Sequence, residues 1–193
     1  MLQDRYDLEV TTDSPVARDA YGAGVDAILA ASPNPAGALE QAIAADPDFA
    51  LPHAAIARDH QLMGRPKEAR AAAEKAVELA ANATPRERQH TEILHLMVTG
   101  KGQDALALTH DHMLKWPRDA FVLAPSCGVF GLIGFSGRVG REPEQLEMLE
   151  PLATHYGDDW WFLTAHAFAL LEMGQWARGR EMAERSLEQF PRN

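Results

Sequence analysis

The sequence predicts an all-α protein built as a right-handed superhelix of antiparallel helix pairs, about five in number, and three observations carry that expectation. The stretch Trp160–Asn193, WWFLTAHAFALLEMGQWARGREMAERSLEQFPRN, reads as one complete helix-turn-helix unit with Met173-Gly174 at the turn and Pro191 near its end. Glycines between consecutive helical stretches, Gly64, Gly100, Gly134 and Gly174, recur at intervals of 36, 34 and 40 residues. Alanine dominates several of those stretches, and it both favours helix and lets two backbones approach closely.

Composition narrows the function classes. Of 193 residues, 46% are hydrophobic and 7% aromatic, enough for a sizeable core or a short solenoid. The formal charge of −10 falls mainly on residues 1–49 and 120–193, and no segment carries the clustered cations of a nucleic-acid groove. The single cysteine, Cys127, excludes an internal disulfide framework and fits a reducing compartment. The start, MLQDRYDLEV, lacks the basic and apolar regions of a secretion signal, and no apolar run reaches the length of a membrane span. A cytoplasmic protein with no membrane partner is expected.

Along the chain, residues 1–13 read as an irregular polar lead-in. Ser14-Pro15 starts a helix, because Ser caps free amides and Pro fits the first helical position. Ser32-Pro33-Asn34-Pro35 ends it, and a second helix runs from about Ala36 to Ala45, so residues 1–49 form a lead-in and a divergent pair. Repeats follow over 50–83, 86–119, 120–159 and 160–193, and the whole of 1–193 is one domain. Thr84 with Glu87 makes a capping box, and Asp119 and Asp159 are placed to cap the first helices that follow them. In the 120–159 repeat, Pro125 is expected to bend the first helix. Pro151 interrupts a second helix over Glu142–Tyr156, and Gly134–Arg141 forms a long flexible loop between them.

Residues at fixed offsets carry a resemblance. The eighth positions hold Ala57, Ile93, Cys127 and Ala167; the twentieth hold Ala69, Ala105 and Gly179; the twenty-seventh hold Ala76, His112 and Ser186. Pro117 and Pro191 sit at the terminal proline position, and Trp176 stands where a turn aromatic is usual. The chain thus resembles the tetratricopeptide repeat, whose period is about 34 and whose packing positions are small, with Ile93 and His112 departing from the pattern. The segments DAYGAGVDAILA, VFGLIGFSGRVGRE and HYGDDWWFLTAHAFALLEMG also resemble the N-terminal part of a bacterial tetratricopeptide repeat protein 38-like family, whose members are longer. That resemblance carries no activity with it.

No set of residues reads as a reaction centre. Cys127 falls on a packing position and lacks a protease-like Cys-His signature. His110 with His112, and His90 with His95, have spacings that do not share a helix face, so no metal and no cofactor are expected. Gly134–Arg141 has no phosphate-loop spacing, and Glu142 and Glu144 oppose an anion there. Glu144, Glu147 and Glu150 form the solvated side of a helix.

The resemblance places function on the concave groove lined by first helices. Its facing positions include Arg58, Gln61, His90, Leu94 and Met97, then Trp161, Thr164 and Phe168. A non-catalytic scaffold that binds a peptide or a helix in that groove is the leading expectation. A small-molecule or metal-dependent enzyme in the groove, and a structural half of a larger repeat protein, are the alternatives. The unit ending at Asn193 has no polar capping helix after it. The end is therefore expected to pair with a second copy through Met182, Leu187 and Phe190, or to continue into further chain.

Overall fold

The computed structural model describes residues 1–191 and is predominantly helical. Arg192 and Asn193, the last two positions of the expected final repeat, lie outside the described residues. Two compact units are present, Met1–Val122 and the chain from Leu123 onward.

The first unit holds three helix pairs: α1 (Pro15–Leu29) on α2 (Pro35–Ala45), α3 (Ala50–Leu62) on α4 (Pro66–Leu79), and α5 (Pro85–Val98) on α6 (Gly102–Lys115). Their starts follow the local chemistry read from the sequence. Ala17 N–H donates to Ser14 Oγ at 3.2 Å, and Thr84 with Glu87 forms the reciprocal capping box. The small positions are closed: Ala57, Ala69, Ala76 and Ala105 are at most 1% exposed.

The turns inside the pairs share one geometry. Gly64 and Gly100 have positive φ, and the following amides, Arg65 N–H and Lys101 N–H, donate 2.8 Å bonds back to the carbonyls of His60 and Leu96. The first pair makes the same turn with an alanine: Ala31 has φ of +48°, and Ser32 N–H donates to Ala27 O at 2.8 Å.

Residues 1–13 differ from the irregular lead-in expected. They form an antiparallel hairpin of β1 (Leu2–Gln3) and β2 (Glu9–Val10), with Leu2 opposite Val10. Tyr6, Val10 and Thr12 are buried. Asp4 nucleates the hairpin turn, its Oδ1 accepting from Tyr6 N–H and Leu8 N–H at 2.8 and 3.1 Å.

The second unit begins inside α7 (Ala120–Leu123), which passes into a 3₁₀ turn at Ala124–Ser126 and ends. The expected bend at Pro125 is thus a termination. Proline disfavours a helical residue before it, and the freed Pro125 carbonyl accepts from Leu132 N–H at 2.8 Å instead. The segment up to α8 (Arg141–Leu149) is a knot of tight turns. A Cβ on Gly131 would lie 2.3 Å from Cys127 O, and one on Gly134 would lie 2.3 Å from Gly128 O. Gly134 therefore supports a close backbone approach and is not the equivalent of Gly64, Gly100 and Gly174. The helix expected over Glu142–Tyr156 breaks at Pro151, leaving α8, a 3₁₀ turn at Glu150–Leu152, and α9 (Ala153–Tyr156).

The unit closes with α10 (Trp160–Glu172) on α11 (Trp176–Gln189), joined by the Gly174 turn, while α8 packs on α10. Asp159 caps α10, accepting from Phe162 N–H at 2.9 Å. A Cβ on Gly179 would stand 2.7 Å from Leu171 Cγ, so the two helices meet backbone to side chain. Ser186 Oγ donates to Trp160 O at 2.7 Å across the same contact. Phe190 stacks on Trp160 at 4.7 Å, while Leu187 is half exposed on a helix whose outward positions, Arg180, Glu181, Glu184 and Glu188, are charged.

These turns make a stability prediction. Ala31→Gly relieves a left-handed alanine and is expected to raise the unfolding free energy by up to about 1 kcal/mol, while Gly64→Ala lowers it by about 1 kcal/mol. Urea melts of the two variants, shifting in opposite directions, check this.

Candidate functional site

The first unit encloses a cluster of charged and polar side chains centred on Asp119, in the link between α6 and α7. Asp119 Oδ2 accepts from Arg86 Nη1 at 2.8 Å and lies 3.1 Å from both His90 Nδ1 and His112 Nε2. None of the four is more than 4% exposed. Arg86 and His90 project from the first turns of α5, one helical turn apart, and His112 comes from the last turn of α6. His112 Nδ1 also lies 3.1 Å from Gln89 Oε1, and the His90 ring stacks on Phe121 at 5.8 Å.

Burial opposes the charge on Asp119, but His90, Arg86 and the hydrogen bonds of both histidines hold its carboxyl well below the usual carboxylate range. Burial pulls the other way on His112 and wins: its pKa is lowered despite Asp119, with the nearby His90 and Arg86 adding to the shift. Arg86 keeps its charge, because Asp119, Tyr21 and Asp4 outweigh its burial and raise its pKa.

His90, His112 and Asp119 converge at one carboxylate oxygen that also accepts from the Arg86 guanidinium, whose positive charge opposes a cation there. Among the described residues no group of His, Cys, Asp or Glu is arranged to hold a metal ion. Cys127 follows the 3₁₀ turn with Sγ donating to Leu123 O at 3.5 Å, and burial pushes its thiol up to about 12, far from a reactive thiolate.

The residues expected to line a groove have mixed fates. In the first unit His90, Leu94 and Met97 are buried within the chain and offer no surface to a partner. Arg58 and Gln61 are half-buried and bond each other, Nη1 to Oε1 at 2.6 Å. In the second unit Trp161 is buried. Thr164 is exposed at its edge but hydrogen-bonds Trp160 O and Ser186 Oγ across the helix pair. Phe168 is half-buried and lines a shallow cleft with Gly128, Val129, Arg141 and Gln145.

That cleft adjoins what the sequence reading missed. The turns between Pro125 and α8 carry Val129, Phe130, Phe135 and Val139 outward, 52%, 88%, 76% and 105% exposed. The rings of Phe130 and Phe135 lie 6.5 Å apart, while Ile133, from the same turns, is fully buried and anchors them. Arg138 makes two bonds to Glu144, at 2.7 and 2.8 Å, which tie the end of the loop to α8. The signal was present in the alternation of VFGLIGF, where glycines set the turn and apolar residues divide between core and surface.

No helix among the described residues is long and apolar enough to cross a membrane. Compared with models of protein families and with curated proteins, the chain matches none.

Replacing Asp119 leaves the Arg86 charge buried without its counterion. Asp119→Asn is expected to lower the unfolding free energy by about 3–5 kcal/mol, read by urea denaturation near neutral pH. The Asp119 carboxyl is depressed in the fold, so its contribution is complete above the ordinary value of 3.8 and is lost as pH falls through its lowered value. An acid titration of the variant should therefore lack that lowest step.

Proposed function

We propose that the chain is a protein-interaction scaffold of the tetratricopeptide type, in which helix pairs stack as a right-handed superhelix of about five repeats and the binding surface is the apolar loop at residues 129–139. The repeat reading is supported by the shared glycine turns at Gly64, Gly100 and Gly174 and by the buried small residues at the packing positions. One observation carries the interaction reading: four large apolar side chains stand in solvent on turns in which Gly131 and Gly134 admit a close approach of backbone.

Exposing such side chains is unfavourable unless they are covered in use, and a pre-shaped loop loses little entropy when it docks. Phe130 and Phe135 supply the large apolar anchors typical of interface centres, and Phe168 with the adjoining cleft supplies a place for a side chain from the partner. The partner implied is a protein presenting an apolar pocket or the apolar face of a helix. Recognition here needs no ionised group from the loop, since Arg138 is engaged with Glu144.

Photo-crosslinking with a probe in place of Val139 tests this. Crosslinks to one partner protein are expected from the parent chain and are lost in Phe130→Ser with Phe135→Ser, while circular dichroism is unchanged. Equal crosslinking by the folded double variant would remove the loop from the binding surface.

A further inference from the structure

The geometry points to a receptor for one basic side chain, arginine or lysine, in the cleft beside the loop at 129–139. The protein partner that covers the loop supplies that side chain, so the receptor presupposes the docking role of the loop and adds the charge of what enters beside it.

The cleft has a volume of about 290 Å³ and is lined from α8, from α10 and from the turns after Cys127. On α8, Gln145 shares the inward stripe with Met148 and Leu149, three and four positions further on, and all three are buried. Its neighbours on that stripe are apolar, whereas Gln145 carries a donor and an acceptor. At 4% exposure it lines the cleft, and its carboxamide has no hydrogen-bond partner among the described residues. An amide withdrawn from water without a partner is unfavourable, and a polar group entering the cleft removes that cost.

Charge selects the group. Three charged side chains line the cleft: Arg141, Glu142 and Glu172. Arg141 Nε donates to Glu142 Oε1 at 2.9 Å, so those two offset each other. Glu172 remains, exposed and without an ion-pair partner among the described residues. Phe168 precedes it by one turn on the same face of α10, and Val129 lines the cleft from the loop.

A carboxylate and an amide oxygen on the walls of one cleft, together with an aromatic ring and a valine, match the build of a long basic side chain. Its methylene stem lies on Phe168 and Val129, and its cationic head donates to Glu172 and to Gln145 Oε1. An anionic group would meet the net negative charge of the lining, and an apolar one would leave Gln145 unmatched.

Heteronuclear NMR of the full chain, titrated with the peptide acetyl-Leu-Arg-Leu-amide, tests this. The control peptide carries citrulline, which keeps the shape of arginine and loses its charge. The Gln145 side-chain amide signal, assigned by its loss in Gln145→Leu, is expected to shift saturably with the arginine peptide. Affinity should fall at least about threefold for the citrulline peptide and for the arginine peptide on Glu172→Gln, a substitution at an exposed site. Gln145→Leu should stay helical by circular dichroism and bind the arginine peptide more weakly. No saturable shift, equal affinity for the citrulline peptide, or undiminished affinity in Glu172→Gln or in folded Gln145→Leu would each overturn the receptor. Its failure is distinct from failure of the docking loop, which is read from crosslinking at Val139 and from Phe130→Ser with Phe135→Ser.

Discussion

One oxygen of Asp119 is where α5, α6 and the link to α7 meet, and the first unit is arranged around keeping it ionised away from water. A lone buried carboxylate would take up a proton; this one retains its charge because a guanidinium and two imidazoles converge on it. The same requirement explains His112. The repeat pattern expected from the sequence favours a small residue at its position, where it would align with Ala76 and Ser186. A ring fits there because Asp119 and Gln89 accept or meet both of its nitrogens and Trp116 packs against it at 4.8 Å. Removing Asp119 would leave the Arg86 guanidinium buried without its counterion.

The second unit solves a different problem. Pro125 stops the helix that begins at Ala120, and the chain must satisfy the carbonyls left behind. Closely spaced turns do this, with Gly131 and Gly134 admitting backbone where any side chain would collide. The consequence is a loop whose inward residue, Ile133, is fully buried and whose outward residues, Phe130 and Phe135, are not.

Much of the helical architecture was legible because it is local. Ser14, Thr84 with Glu87, and Asp159 bond amides two or three residues away, and the turns at Gly64, Gly100 and Gly174 close within six residues. The small packing positions were legible for a related reason: they recur at the repeat period and need no knowledge of a specific partner. The hairpin at residues 1–10 was not legible, since its two-residue strands are too short to show alternation and its anchors lie on α5, far along the chain.

The sequence by itself determined the helices, their caps and the residues that separate them, because helix formation and capping are settled by neighbours within a turn or two. Only the tertiary structure decided which polar side chains were sealed inside and which apolar ones were left out. His90 reads as a groove residue until Asp119, 29 positions later, closes over it. Phe130 stands in water because the helix ends at Pro125 and Gly131 and Gly134 let the backbone turn tightly beside it. Both outcomes depend on which distant group fills a space, and no periodic pattern in one chain encodes that.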